Sequence, residues 1–172
     1  DLVRNRRLQR WFAAHREAMY ADSYDGLTVP TAEFNAVYIL VHAYQHFVMG
    51  GIGLRQLMDC HLVLQACAGL PSEQRHEGLH VLRSLGMRRF VQGVMWTELH
   101  VFAAAPSVLI DAPNPAEGRF LLSEAMAGGN FGHYDRHSLA TKGGSIGYLQ
   151  RTLRHGLHLL RRYPVPVLWI PL

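Results

Sequence analysis

Pro30-Thr31-Ala32-Glu33-Phe34-Asn35-Ala36-Val37-Tyr38-Ile39-Leu40-Val41-His42-Ala43-Tyr44-Gln45-His46-Phe47-Val48-Met49-Gly50-Gly51 decides the fold. Thr31 is a good helix N-cap, and Glu33 in the first turn suits the positive end of the helix dipole. Phe34, Val37, Tyr38, Val41, Tyr44, Phe47 and Val48 recur at helical spacing and form the expected buried face. Two adjacent glycines end the run and suit a left-handed C-terminal turn.

The same signals repeat on both sides. Upstream, Leu8, Trp11, Phe12, His15 and Met19 predict a helix over residues 2 to about 20, and Asp22-Ser23-Tyr24-Asp25-Gly26 reads as a loop. Downstream, Gly53 opens a third helix to about residue 68, closed by Gly69. Pro71-Ser72-Glu73 opens a fourth, closed by Gly86. A fifth runs from Met87 to about Ala104, with Phe90, Val91, Val94, Met95, Leu99 and Phe102 on one face. Asn114-Pro115-Ala116-Glu117 sets an N-cap before a Pro at the first helical position, starting a sixth that ends at Gly128-Gly129. Residues 129–144 read as a glycine- and histidine-rich loop, and Ser145 to Tyr163 as a seventh helix stopped by Pro164. No period-2 strand stands out. Residues 165–170 come nearest, but Pro164, Pro166 and Pro171 make an extended tail the better reading. The expectation is one all-α domain over residues 1–172, a compact bundle of six or seven helices with an extended Pro-rich C-terminal tail.

Composition agrees. The chain has 172 residues, 49% of them hydrophobic and 17% charged, which excludes an extended disordered chain. The most apolar stretch, residues 94–110, is broken by Glu98, His100 and Pro106, so a membrane span is not expected. No apolar segment of a signal peptide follows the basic start Arg4-Asn5-Arg6-Arg7. Asp rather than Met at position 1 leads to the expectation of a processed or excised piece of something longer. Cys60 and Cys67 are seven residues apart, about 10 Å along one helix, too far for a disulfide. A reduced, cytoplasmic protein is expected. Seventeen Lys and Arg against thirteen Asp and Glu give a net charge of +4, a modest field for anionic partners.

Phosphate-loop, dinucleotide and zinc-knuckle patterns are absent, as is a D-x-D carboxylate pair. His42 and His46 share one helix face, the placement two metal ligands need, but Ala43 stands where a zinc protease has its Glu. Hydrogen-bonded imidazoles are the favoured reading, with a small metal- or cofactor-binding bundle using His42, His46 and His61 as the rival. Gly50-Gly51-Ile52-Gly53-Leu54-Arg55-Gln56-Leu57-Met58-Asp59 runs glycines into a helix start, where free N–H groups receive anions. Arg55 and Asp59 are spaced for an ion pair or for a polar site facing a neighbour. Gly128-Gly129-Asn130-Phe131-Gly132-His133-Tyr134-Asp135 is a polar loop, read either as functional or as a turn capped by Asn130 and Asp135. Arg4, Arg6, Arg7, Arg10, Arg151, Arg154, Arg161 and Arg162 read as solvated helix faces rather than a nucleic-acid surface, since the aromatics lie on apolar faces.

Several segments follow one another in a telling order: Asn5-Arg6-Arg7-Leu8-Gln9-Arg10-Trp11-Phe12, Pro30 through Asn35, Val41-His42 to His46-Phe47, Gly51-Ile52-Gly53-Leu54-Arg55-Gln56-Leu57-Met58-Asp59, Gly129-Asn130-Phe131-Gly132-His133-Tyr134-Asp135, and Tyr163-Pro164 to Val167-Leu168-Trp169. Together they resemble the C-terminal helical part of the bacterial uncharacterised nucleotidyltransferase family, distant relatives of the polymerase-β-type enzymes. The resemblance covers nearly the whole chain. It implies a transferase that moves a nucleoside monophosphate from an NTP to an unknown acceptor with Mg²⁺, whose catalytic α/β lobe would precede Asp1. No catalytic or metal-binding residue is then expected in this chain, which alone would be inactive. His42, His46, Arg55, Asp59, Asn130, His133 and Asp135 become candidates for contacting nucleotide or substrate. Nucleic acid and membrane are not expected partners, and self-association through exposed apolar surface is. The rival reading is a non-catalytic helical module that binds a protein or a small ligand.

Overall fold

The computed structural model describes residues 5–49, 51–128, 157, 159, 162 and 163. Six α-helices lie among the described residues: α1 Arg6–Ala14, α2 Ala32–Met49, α3 Leu54–Cys67, α4 Ser72–Ser84, α5 Arg88–His100 and α6 Pro115–Gly128. Short 3₁₀ turns lie at Glu17–Met19 and Pro106–Val108. The expected seventh helix and the Pro-rich tail fall outside the described residues, except that Leu157 and Leu159 are helical.

Capping chemistry sets the helix starts. Asn5 accepts from the backbone N–H groups of Arg7 and Leu8, Thr31 Oγ1 accepts from Phe34, and Asn114 Oδ1 accepts from Ala116 and Glu117. At α3 the arrangement reverses. Gly53 has no side chain to offer, so Gln56 Oε1 reaches back 3.0 Å to the Gly53 N–H. The turns after α2 and α4 use Gly51 at φ +96° and Gly86 at φ +76°, where a Cβ would be strained.

Three boundaries differ from the sequence reading. Residues 22–29 form a small antiparallel hairpin, β1 Asp22–Tyr24 and β2 Leu27–Val29, where a loop is expected. Asp25 and Gly26 both take positive φ, 49° and 76°, the requirement of a two-residue hairpin turn. α1 is shorter than expected because His15 closes it: its backbone N–H and its ring Nδ1 both engage the Trp11 carbonyl. α5 stops at His100 because Ala103 turns to φ 53° and Pro106 follows.

α2 lies at the centre. Phe34, Val37, Leu40, Val41, Ala43, Tyr44, Phe47 and Val48 are all buried. Tyr38, expected on that face, is instead 49% exposed. Tyr44 and Phe47 pack on Phe90 of α5 at centroid separations of 5.0 and 5.4 Å, and Phe47 meets Tyr163 edge-on at 5.1 Å. Trp11 stacks on Phe34 at 5.4 Å and ties α1 to the start of α2. Cys60 and Cys67 are free and buried, seven positions apart on α3 as expected.

Two glycines lie where α5 and α6 pack together. A Cβ on Gly93 would sit 3.2 Å from the Glu117 backbone, and one on Gly118 would meet the Trp96 side chain at 2.4 Å. The clash at Gly118 includes the Trp96 Cβ, so rotating the ring does not relieve it. Gly118→Ala should therefore force the helices apart and destabilise the fold by about 1–2 kcal/mol net of the better helix propensity, or roughly 2–8 °C in Tm. Gly69→Ala, where nothing lies within 4 Å of the added carbon, should leave Tm unchanged or slightly raised in the same calorimetric scan.

Candidate functional site

The expected site maps onto α2 and α3. His42 and His46 lie one turn apart and touch: their Nε2 atoms are 3.2 Å apart and the rings meet nearly perpendicular, 87° between planes. Tyr38 stacks parallel to His42 at 6.1 Å. This stripe is the part of α2 that its neighbours leave half open. At 3.2 Å one Nε2 carries a proton and the other accepts it. Burial, and then the His42 charge, hold the His46 imidazole below its ordinary value of 6.5.

Arg55 and Asp59 occupy the first turns of α3, yet the two form no ion pair. Arg55 is exposed and takes no hydrogen-bond partner among the described residues. No hydrogen bond links either residue to the histidine pair. Asn130, His133 and Asp135 lie outside the described residues. Two of the basic positions serve the fold. Arg7 donates to the Ser84 carbonyl at 3.0 Å, and Arg162 donates to Glu117 Oε2 at 2.9 Å while covering the Phe120 ring.

A second polar centre joins α3 to α5. Glu98 is fully buried, and its Oε2 lies 2.7 Å from His61 Nδ1. Gln65 Nε2 donates to His61 Nε2 at 2.9 Å, which fixes the tautomer, so the Nδ1–H points at the carboxylate. Phe102 covers the imidazole at 4.9 Å. Glu98 Oε1 has no hydrogen-bond partner among the described residues. Burial raises the Glu98 carboxyl above 4.5, against the opposing pull of His61. The neighbouring Cys60 thiol is pushed up by burial, then by Glu98 and Asp59, so it is an inert thiol. Of this group the sequence reading singled out His61 and Cys60; Glu98 appears there only as an interruption of an apolar run. A carboxyl in an otherwise apolar helix face was the available signal.

Comparison of the chain with protein-family models, with curated proteins and with solved structures finds no match. No helix among the described residues is long and apolar enough to cross a membrane.

Two pH dependences follow. Because folding raises the Glu98 value, the unfolded chain loses that proton first as pH climbs past 4.5, and stability falls with rising pH until the folded group ionises. Glu98→Gln should remove this decline, so urea midpoints of the variant should gain on wild type as pH rises above 4.5. His46 has the opposite sign: the unfolded imidazole takes its proton first as pH drops through 6.5, so stability is lost toward acid. An NMR titration should place the His46 midpoint below 6.5, moving up but not fully back in His42→Ala, since burial is the larger cause.

Proposed function

We propose that this chain is the helical, substrate-positioning lobe of a nucleotidyltransferase that moves a nucleoside monophosphate from an NTP to an acceptor. The ordered segments that resemble that family support the reading. The observation that carries it is Arg55: an exposed guanidinium in the first turn of α3, straight after the Gly51-Ile52-Gly53 turn, with no protein partner among the described residues. A fork of fixed donors at a helix N-terminus suits a phosphate oxygen. The half-buried His42–His46 pair adds a donor and an acceptor for sugar or base. Asp59 alone is no carboxylate pair, so this reading assigns the Mg²⁺ ligands and the chemical step to groups outside the chain. The lobe contributes position and charge.

One observation favours the second reading, a protein-binding module. Leu54, Met58 and Leu62 are 42%, 43% and 59% exposed at i, i+4 and i+8 of α3, an apolar stripe on the helix that carries Arg55. In the full-length protein, Arg55→Ala should weaken NTP binding or kcat/KM by about tenfold or more, the loss of a charge-assisted hydrogen bond, with unchanged circular dichroism. Unchanged kinetics together with loss of self-association or partner binding in Leu62→Asp would favour the module instead.

A further inference from the structure

A third polar cluster lies away from these positions, where the end of α1, the start of α2 and the middle of α4 converge. His15, Glu33 and Glu77 each bring one possible ligand atom to this place, with all three atoms within 4.8 Å of one another. We propose that these three residues bind one first-row divalent transition ion, Zn²⁺ being the ion their donors suit.

The imidazole is prepared for a ligand role. His15 Nδ1 lies 2.9 Å from the Trp11 carbonyl, which can only accept, so Nδ1 carries a proton and Nε2, which pairs with Glu77 here, is the nitrogen left to bind a metal. A metal-bound histidine is oriented in this way, its other ring nitrogen donating to a backbone carbonyl. Trp11 stacks on the ring at 4.4 Å and 23°, fixing its plane. Nε2 then faces Glu77 Oε1 at 3.2 Å. In a tetrahedral Zn²⁺ site with bonds near 2.1 Å, neighbouring donor atoms are about 3.4 Å apart, so this pair already has ligand spacing.

Glu33 completes the set. Its Oε1 is buried and has no hydrogen-bond partner among the described residues. Two carboxylates around one imidazole leave negative charge that a divalent cation would neutralise. One nitrogen and two carboxylate donors, with a fourth position for water, match Zn²⁺; Ca²⁺ and Mg²⁺ take six or more oxygens. The ion would clip three helices that otherwise meet here through side chains.

The purified chain, freed of metal with chelator and titrated with ZnCl₂, should bind one Zn²⁺ at micromolar concentration and gain several degrees in Tm. A long-range ¹H–¹⁵N spectrum should show the His15 Nε2 resonance shifting on binding. Glu77 is exposed, so Glu77→Gln should fold normally while binding about ten- to hundredfold more weakly. His42→Ala, which removes the other imidazole pair, should bind as wild type does. No binding at micromolar Zn²⁺, an unmoved His15 signal, undiminished affinity in Glu77→Gln, or loss confined to His42→Ala would each overturn the proposal. The His15 signal is read in the wild-type chain, so the proposal stays falsifiable even if a variant misfolds.

Discussion

The burial of α2 governs the rest. Its neighbours cover Phe34, Val37, Leu40, Val41, Tyr44, Phe47 and Val48, which take up most of the helix circumference. A helix so enclosed can place polar groups only along the strip its neighbours leave open. Tyr38, His42 and His46 share that strip because residues four apart stack on one face. The histidine contact thus follows from packing: whatever covers the apolar residues forces the two rings together. Tyr38, 49% exposed, lies on the same strip.

The bundle treats its two buried glutamates differently. Glu117 receives the Arg162 guanidinium and the Tyr163 hydroxyl at 2.9 and 2.8 Å, so its carboxylate charge is balanced by a cation and a donor. That pairing also fastens Arg162 and Tyr163 onto α6, while Arg89 holds the Arg162 carbonyl at 2.7 Å. Glu98 has one imidazole for a partner and an oxygen left over. Burial pushes that carboxyl up while His61 pulls it down, so its ionisation sets charge against burial. The first glutamate is a structural fastener. The second is a latent cost, which natural chains retain mostly where something other than stability is being selected.

The helices were legible because their signals are local. Thr31 and Asn114 cap in the structure as their residue types predict, and the glycines after α2 and α4 take left-handed backbone. The hairpin was equally local: Asp25-Gly26 between Tyr24 and Leu27 is a two-residue turn signal, hidden because strands of three residues are too short to show alternation. Gly118 was illegible for another reason. Its role depends on Trp96, which is brought against it only when α5 and α6 pack.

The site residues divide along the same line. His42 with His46 is visible in sequence because both lie on one helix, whereas His61 with Glu98 spans 37 positions and His15 with Glu77 spans 62. Arg55 and Asp59 show that helical spacing is necessary but not sufficient: the side chains are within reach, yet solvent competes for both charges and no pair forms. Spacing therefore tells which groups share a face. Whether they join is decided by what surrounds them: half-burial brings His42 to His46, and full burial of Glu98 brings it to His61. Arg55, among the described residues, stays unpaired on an exposed stretch of α3 that also carries Leu54, Met58 and Leu62, where water competes for its charge.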